Sequence, residues 1–372
     1  MNYRKKFNSP SGKLRVLIAP LDWGLGHATR CIPIIHELRS EGCEIFIAAD
    51  GPTASLLKTE FPGETFLPLA GYHIKYGKNE RDILLQVPTL FITLFRERRW
   101  LKKTIKHHGI DAVISDNRPG LYNRRIISIY ITHQLTIKTH NLFTAKIAQL
   151  LHRHFINKYD ECWIPDYKEN GLAGELSHPD LIPRNAKYIG ALSRFEKNPG
   201  VVINYDLLIL LSGPEPQRST FENLILSGLK NLSGKRILLI RGLPGDENVI
   251  SSGSLSVNIL NHLSSTELNN AIEASDLVLT RTGYTTIMDM VKLQKKCIMV
   301  PTPGQSEQEY LADHLNDKKI FFVEQQNKFS LPSTLKAIIN FHFDIPVIDT
   351  SIYKNAISNL VKSLYSSQTL VK

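Results

Sequence analysis

The sequence predicts two doubly wound α/β domains in tandem. Short β-branched runs alternate with amphipathic stretches almost throughout its 372 residues. The runs are nearly continuously apolar, as strands of a parallel sheet covered on both faces must be. The alternation pauses once, over a Pro-, Gly- and polar-rich stretch, and then restarts. A chain of this length also exceeds one ordinary core.

In order, strands are expected at 14–20 (LRVLIAP), 44–49 (EIFIAA), 65–69 (TFLPL), 111–115 (DAVIS), 125–131 (RIISIYI) and 161–165 (ECWIP). Helical patterns fall in CIPIIHELRSEG, around 81–107 and over 141–155, and residues 165–200 read as a linker. The second half places strands at 205–211, 235–241, 254–260, 276–280, 296–301 and 319–323. Helices fill 217–230, 266–274, 284–293, 306–317 and 331–341, with a last one near 352–366. The expected domains are 13–197 and 201–345, followed by a terminal helix within 350–368. Ligands of open α/β sheets bind outside the carboxyl ends of the strands, so a cleft between two such edges is the expected site.

Composition narrows the function classes. Lys and Arg number 45 against 35 Asp and Glu, a formal charge of +10 that favours anionic partners. No recognised DNA- or RNA-binding motif accompanies it. No apolar run reaches the roughly 20 residues of a membrane-spanning helix. The start, MNYRKKFNSPSGK, has no apolar signal core, so a cytoplasmic chain is expected. Cys31, Cys43, Cys162 and Cys297 lie far apart, as packed, reduced thiols do. No set of His, Cys and carboxylates has metal-ligand spacing, and no P-loop is present.

The stretch DLVLTRTGYTTIMDMVKLQKKCIMVPTPGQSEQEYLADHL carries the most chemistry. A strand ends at Thr280, Arg281-Thr282-Gly283 form a turn, and a helix begins with Thr285, Thr286 and, one turn in, Asp289. Glycine lets a ligand approach the backbone, and free N–H groups at a helix start attract phosphate. A carboxylate in the first two turns can accept two hydrogen bonds from a ribose diol. Gln305 to Glu309 open the next helix with groups suited to sugar hydroxyls. Each feature alone also fits an ordinary turn or a solvated helix face.

Their order resembles the donor half of the two-domain glycosyltransferases of the GT-B fold, with two Rossmann-like domains. Within these it resembles glycosyltransferase family 28, the family of the peptidoglycan UDP-N-acetylglucosamine transferase. The resemblance implies that Asp289 binds the uridine ribose, where the family more often has Glu. It places Thr285 and Thr286 near the pyrophosphate and Gln308-Glu309 on the donor sugar, where the family has a Gln-Gln pair. LLILLSGPEPQRSTFENLI matches the family's donor loop, giving Ser212, Gly213 and Arg218 to the diphosphate, although GPEP is less glycine-rich. Leu263 and its neighbours would grip the base. A UDP-hexose or UDP-N-acetylhexosamine is the implied substrate, with no cofactor, and inversion is the implied outcome.

In the first half, LDWGLGHATR joins a strand to a helix. The resemblance makes this the acceptor domain, with Gly24 and Gly26 leaving room for acceptor or diphosphate. A neutral imidazole can take a proton from a hydroxyl at neutral pH, so His27 is the candidate base. Arg30 could balance the leaving diphosphate. Asp116, ending DAVISDN, could orient His27, or could cap the segment that Asn117 and Arg118 begin. His133 and Gln134 in YITHQL resemble an acceptor-side segment of the family, and a buried histidine bonded to backbone explains His133 equally well. His107, His108, His152 and His154 read as surface residues.

ILLQVPTLFITLFRERRWLKKTIKHH (83–108) turns from apolar to basic. It suits either a core helix with a solvated end or a peripheral contact with an anionic membrane and a lipid-linked acceptor. The leading expectation is metal-independent hexosyl transfer from a nucleotide sugar. The alternatives are a UDP-sugar epimerase or hydrolase of related fold, and a non-catalytic nucleotide or nucleic-acid binder.

Overall fold

A computed structural model of the chain describes residues 12–72, 80–138, 142–230, 232, 234–244 and 257–369. It divides into unit 1, Met1–Gly171, Glu175–Leu192 and Thr350–Lys372, and unit 2, Leu172–Gly174 and Ser193–Asp349.

Unit 1 runs β1 (Arg15–Pro20), α1 (Leu25–Ser40), β2 (Glu44–Ala49), α2 (Gly51–Glu60), β3 (Thr65–Pro68), α3 (Glu80–His108), β4 (Ala112–Asp116), β5 (Ile127–Ile131), α4 (Leu142–Ile156), β6 (Glu161–Ile164) and β7 (Ala186–Tyr188). The sheet order is β3-β2-β1-β4-β5-β6-β7, all parallel. Winding outward from β1 and then crossing to β4 makes a topological switch point between them, with Pro20 registered against Asp116. Leu17, Ala19, Phe46 and Val113 pack with Leu101 and Ile105 of α3 in the core on one face.

Unit 2 repeats the scheme with β8 (Tyr205–Leu210), α5 (Gln217–Leu229), β9 (Ile237–Ile240), β10 (Val257–Leu260), α6 (Ser265–Glu273), β11 (Ser275–Thr280), α7 (Tyr284–Lys292), β12 (Lys296–Met299), α8 (Ser306–Asp317), β13 (Phe322–Val323) and α9 (Leu331–Ala337). Its order is β10-β9-β8-β11-β12-β13, so the switch point lies between β8 and β11, where Leu210 is registered against Thr280. Phe221, Ile225 and Leu229 of α5 and Leu331 of α9 close the core over Leu207, Ile209 and Leu239. A last helix, α10 (Ile352–Thr369), returns to unit 1 and packs against α1.

Several expectations need correction. Helix α1 starts at Leu25, so Gly26, His27 and Arg30 are helical, and only Gly24 takes the left-handed angle, φ 75°. The expected linker is packed rather than free up to residue 192. It contains β7, and Leu176, Ile189, Ala191 and Leu192 are buried in it. Its polar residues serve that packing, with Ser177 Oγ donating to buried Asp166 Oδ2 at 2.5 Å. The strand expected at 319–323 shortens to Phe322–Val323, and the helix expected over 331–341 becomes a 3-10 turn after Ala337. Residues 254–256 of one expected strand, and the side chains of 83–88, lie outside the described residues.

Candidate active site

At the switch point of unit 1 the end of β4 meets the start of α1. No side chain caps α1, whose N-cap is Gly24. His27 sits in the first turn, and its Nδ1 lies 3.0 Å from Asp116 Oδ2. Arg30, one turn further along, donates from Nε to Asp116 Oδ2 at 2.8 Å and from Nη2 to Oδ1. The same guanidinium places Nη2 2.7 Å from His27 Nδ1 and Nη1 3.2 Å from Nδ1 of His133, two residues past β5. Arg30, Asp116 and His133 are buried, while the His27 side chain keeps 16% of its surface exposed.

Burial lowers the His27 pKa, and Arg30 lowers it further, against the raising effect of the Asp116 carboxylate. Burial pushes the Asp116 carboxyl up, but Arg30 and His27 outweigh it and hold the group below its usual range. Asp116 is therefore ionised and turned inward, and it does not cap the following segment. Arg30 is likewise committed to Asp116 and the two histidines instead of facing a diphosphate. Gln134 stands half-buried beside the cluster, its N–H donating to Thr132 Oγ1 at 3.1 Å.

A second buried network lies behind the first. Arg118 donates from Nε to Glu97 Oε1 at 2.7 Å and from Nη2 to the Ala70 carbonyl at 2.6 Å. Tyr72 Oη donates to Glu97 Oε2 at 2.6 Å, and the Gly120 N–H donates to the same oxygen at 3.1 Å. This network fixes the turn leaving β4, in which Asn117 takes φ 52°. Sequence reasoning missed it. The available signal was Glu97 on the apolar face of α3, between Leu94 and Leu101, where a buried carboxylate requires a partner. His152 also departs from its surface reading. It is half-buried against Tyr130, ring centroids 5.9 Å apart, and burial lowers its pKa to about 4.

Two residues past His133, a cavity of about 360 Å³ opens between α4 and residues 175–183. Leu135, Ile156, Leu181 and Pro183 give it an apolar wall, and Arg153, Glu175, His178 and Asp180 a polar wall of mixed charge.

In unit 2, α5, α7 and α8 all start without a side-chain cap, at Pro216, Gly283 and Gln305. Helix α6, by contrast, carries a full capping box of Ser264 and Glu267. The uncapped starts follow β8, β11 and β12, two of them flanking the switch point. At the start of α5 the protein supplies its own acceptors, the Glu215 carboxylate for the Ser219 N–H at 3.2 Å and the Pro214 carbonyl for the Arg218 N–H at 3.1 Å. Between the helix starts the buried hydroxyls of Thr280, Thr282 and Thr302 and the Arg281 Nε have no hydrogen-bond partner. Buried polar groups are normally satisfied, so such a cluster is unusual. Ser212 and Gly213 (φ 108°) are exposed beside it, and Thr285 and Thr286 half-buried.

Asp289 is buried on α7 and accepts from Ser193 Oγ at 2.6 Å. Burial raises its pKa to about 6, with Arg194, Ser193 and Lys292 pulling the other way. Leu263 is half-buried in the loop after β10.

The two arginines expected at the donor are engaged within the protein. Arg218 donates to Glu215 at 2.6 Å, Glu222 at 3.1 Å and Ser219 at 2.7 Å. Arg281 reaches the Val300, Pro301 and Gln217 carbonyls at 3.3, 3.2 and 3.0 Å, its plane over the Phe221 ring. Both tie strand ends together, because a buried guanidinium needs several acceptors. Gln308 and Glu309 brace the loop between β12 and α8. Gln308 Oε1 accepts from the Thr302 N–H at 3.0 Å, and Glu309 Oε1 accepts from the Gly304 N–H at 2.9 Å. Among the described residues, no group of three or more His, Cys, Asp or Glu is placed to hold a metal ion.

Two parallel-sheet units, each with its polar cluster at a switch point, constitute the GT-B architecture, and the chain is an enzyme of the glycosyltransferase class. Residues 218–343 match the glycosyltransferase family 28 C-terminal domain, and the whole chain resembles the peptidoglycan N-acetylglucosamine transferase. It is 24% identical over 352 residues to the UDP-N-acetylglucosamine–N-acetylmuramyl-(pentapeptide) pyrophosphoryl-undecaprenol N-acetylglucosamine transferase of Rickettsia canadensis, covering 91% of this chain and 92% of that one. An uncharacterized glycosyltransferase of Methanopyrus kandleri is 23% identical over 297 residues, 76% of this chain and 83% of its own.

Among solved structures, the calicheamicin glycosyltransferase CalG4 superposes with a TM-score of 0.63 at 12% identity, covering 96% of this chain and 95% of its own. A Listeria monocytogenes protein assigned as a UDP-N-acetylglucosamine 2-epimerase gives 0.61 at 12% identity, covering 95% and 97%. These likenesses define the fold and do not by themselves choose transfer over epimerisation.

Proposed function

We propose that the protein moves a hexosyl group from a UDP-linked sugar, a UDP-hexose or UDP-N-acetylhexosamine, to an acceptor hydroxyl, with inversion and without a metal. The observation that carries this reading is the cluster of buried Thr280, Thr282 and Thr302 hydroxyls without partners at the strand ends of unit 2. Hydroxyls there, at the starts of α7 and α8, suit a diphosphate, whose developing charge such donors can hold without a cation. Asp289 serves the ribose diol, Leu263 lies against the base, and the braced loop at Gln308 and Glu309 faces the sugar.

Unit 1 takes the acceptor. Asp116 Oδ2 holds the His27 Nδ1–H and leaves Nε2 to accept the hydroxyl proton. The acceptor oxygen then bonds the anomeric carbon as the bond to the diphosphate oxygen breaks, and UDP departs with that electron pair. One displacement inverts the centre.

The cavity beyond His133, apolar on one side, suits an acceptor with an apolar body. The named acceptor of the Rickettsia relative, a pyrophosphoryl-undecaprenol, has that character. Exposed Phe91, Ile92 and Phe95 on α3, followed by Arg96, Arg99, Lys102 and Lys103, favour work at the cytoplasmic face of an anionic membrane. No helix among the described residues is long and apolar enough to cross one.

The Listeria likeness keeps epimerisation or hydrolysis as the second reading. A panel of nucleotide sugars tested for thermal stabilisation identifies the donor, since a ligand of the folded state raises stability by mass action. Product analysis with that donor, with and without acceptor-bearing lipid extract, then decides. Transfer predicts UDP release and a new glycoside only with acceptor, in the presence of chelator. Isomerised or free sugar formed equally well without acceptor selects the second reading.

A further inference from the structure

The buried cluster of unit 1 has a member that a plain His–Asp pair lacks. Arg30 makes a bidentate pair with Asp116, nearly free of solvent, and reaches Nδ1 of both imidazoles. A guanidinium has donors and no acceptor. A ring nitrogen facing it either presents a lone pair or stands donor against donor.

We propose that Arg30 is a positioning residue that neutralises Asp116, so that His27 rests uncharged beside the pair and His133 is fixed with its proton on Nε2. This rests on the reading of His27 as the base.

The argument is one of charge and geometry. Asp116 and Arg30 cancel in a site shielded from water. A second proton on His27 is then an uncompensated charge in low dielectric, whereas beside Asp116 alone it would be paired. At His27 the Asp116 Oδ2 carboxylate, 3.0 Å from Nδ1, supplies the acceptor that holds the resting proton there beside Arg30 Nη2. At His133 the guanidinium Nη1 faces Nδ1 at 3.2 Å, which selects the lone pair there and sends the proton to Nε2.

The remaining titratable groups near the cluster are Cys31 on α1 and Tyr130 on β5, both held neutral because burial raises their pKa well above the ordinary value. His27 responds in the expected direction: burial and then Arg30 lower it, and Asp116 opposes them. The result is a base that stays unprotonated below its ordinary midpoint and gives up the acceptor's proton readily through its exposed edge.

Histidine-15N correlation NMR on the full chain tests this without acceptor. In the unaltered protein, His133 is expected to carry its proton on Nε2, and His27 to titrate below about 6.5. In Arg30→Gln, which keeps donors but loses the charge, the His27 midpoint should rise by about one unit or more. The acid limb of the turnover profile should move up with it. Arg30→Lys, which keeps the charge, should leave the midpoint low.

A His133 proton on Nδ1, or a His27 midpoint unmoved in Arg30→Gln, overturns the proposal. If Arg30→Gln does not fold, the tautomer and midpoint of the unaltered protein and of Arg30→Lys still decide. Failure of the base assignment shows separately, as near-normal turnover in His27→Ala with the Arg30 effects on ring titration intact.

Discussion

The switch points of the two units follow the same topological rule and are furnished in opposite ways. In unit 1 the polar groups are paired with one another, with the Arg30–Asp116 ion pair buried between His27 and His133. In unit 2 the corresponding edge is lined by neutral hydroxyls without partners, while its arginines are committed to internal acceptors. A cluster that satisfies itself holds a proton-transfer group in place. A cluster left unsatisfied is shaped for a ligand that completes it. On the proposed function, chemistry and donor binding are divided between two edges of the same design.

If that division is right, variants on the two sides should differ in kind as well as in size. The largest effect belongs to His27→Ala, expected to lower turnover by about 10²- to 10⁴-fold, the usual worth of general base catalysis, with UDP affinity unchanged. Steady-state rates alongside calorimetry check it, and near-normal turnover removes His27 as the base. Glu97→Ala comes next, because it strands buried Arg118 and should cost about 3–5 kcal/mol of folding free energy in a denaturant titration. A loss within the range of an exposed ion pair would mean that the network does not hold the β4 turn.

Asp289→Asn should act with a definite pH dependence. The folded-state pKa is raised to about 6, so the carboxyl favours folding while protonated, below its ordinary value, and that contribution is lost as pH rises through about 6. The unliganded Asn variant should therefore gain up to about 3 kcal/mol relative to the parent above that pH, and little at pH 4. Thermal melts across pH 4–8 test it, and a constant difference contradicts it. The smallest effect is the most diagnostic. Thr282→Val removes an orphaned buried hydroxyl at nearly constant volume, so the free protein should melt no lower, while UDP binding weakens by about 1 kcal/mol. Destabilisation with unchanged affinity would make Thr282 a structural residue.

The fold was largely legible because parallel strands buried on both faces leave an unmistakable apolar run, as at LRVLIA, DAVIS and DLVLT. The residues at the strand ends were legible for the same reason, since Asp116 and Thr280 end such runs. What those side chains contact was not. Arg30 and Arg218 read as cations for a diphosphate because composition shows a charge and hides its partner. Their acceptors, Asp116 and Glu222, lie 86 and 4 residues away and meet them only after folding. The packing of 165–192 was hidden likewise, because Pro and Gly mark turns whether the turn is solvated or buried.

The most direct test is a paired measurement on one preparation each of Thr282→Val with Thr302→Val, and of His27→Ala: UDP affinity by calorimetry and turnover at saturating donor. The threonine pair should bind UDP more weakly by about thirtyfold, or about 2 kcal/mol, at roughly 1 kcal/mol per hydroxyl, and the histidine variant should bind normally and turn over slowly. Normal UDP binding without the two hydroxyls, or UDP binding lost with His27, would contradict the division of labour between the two edges.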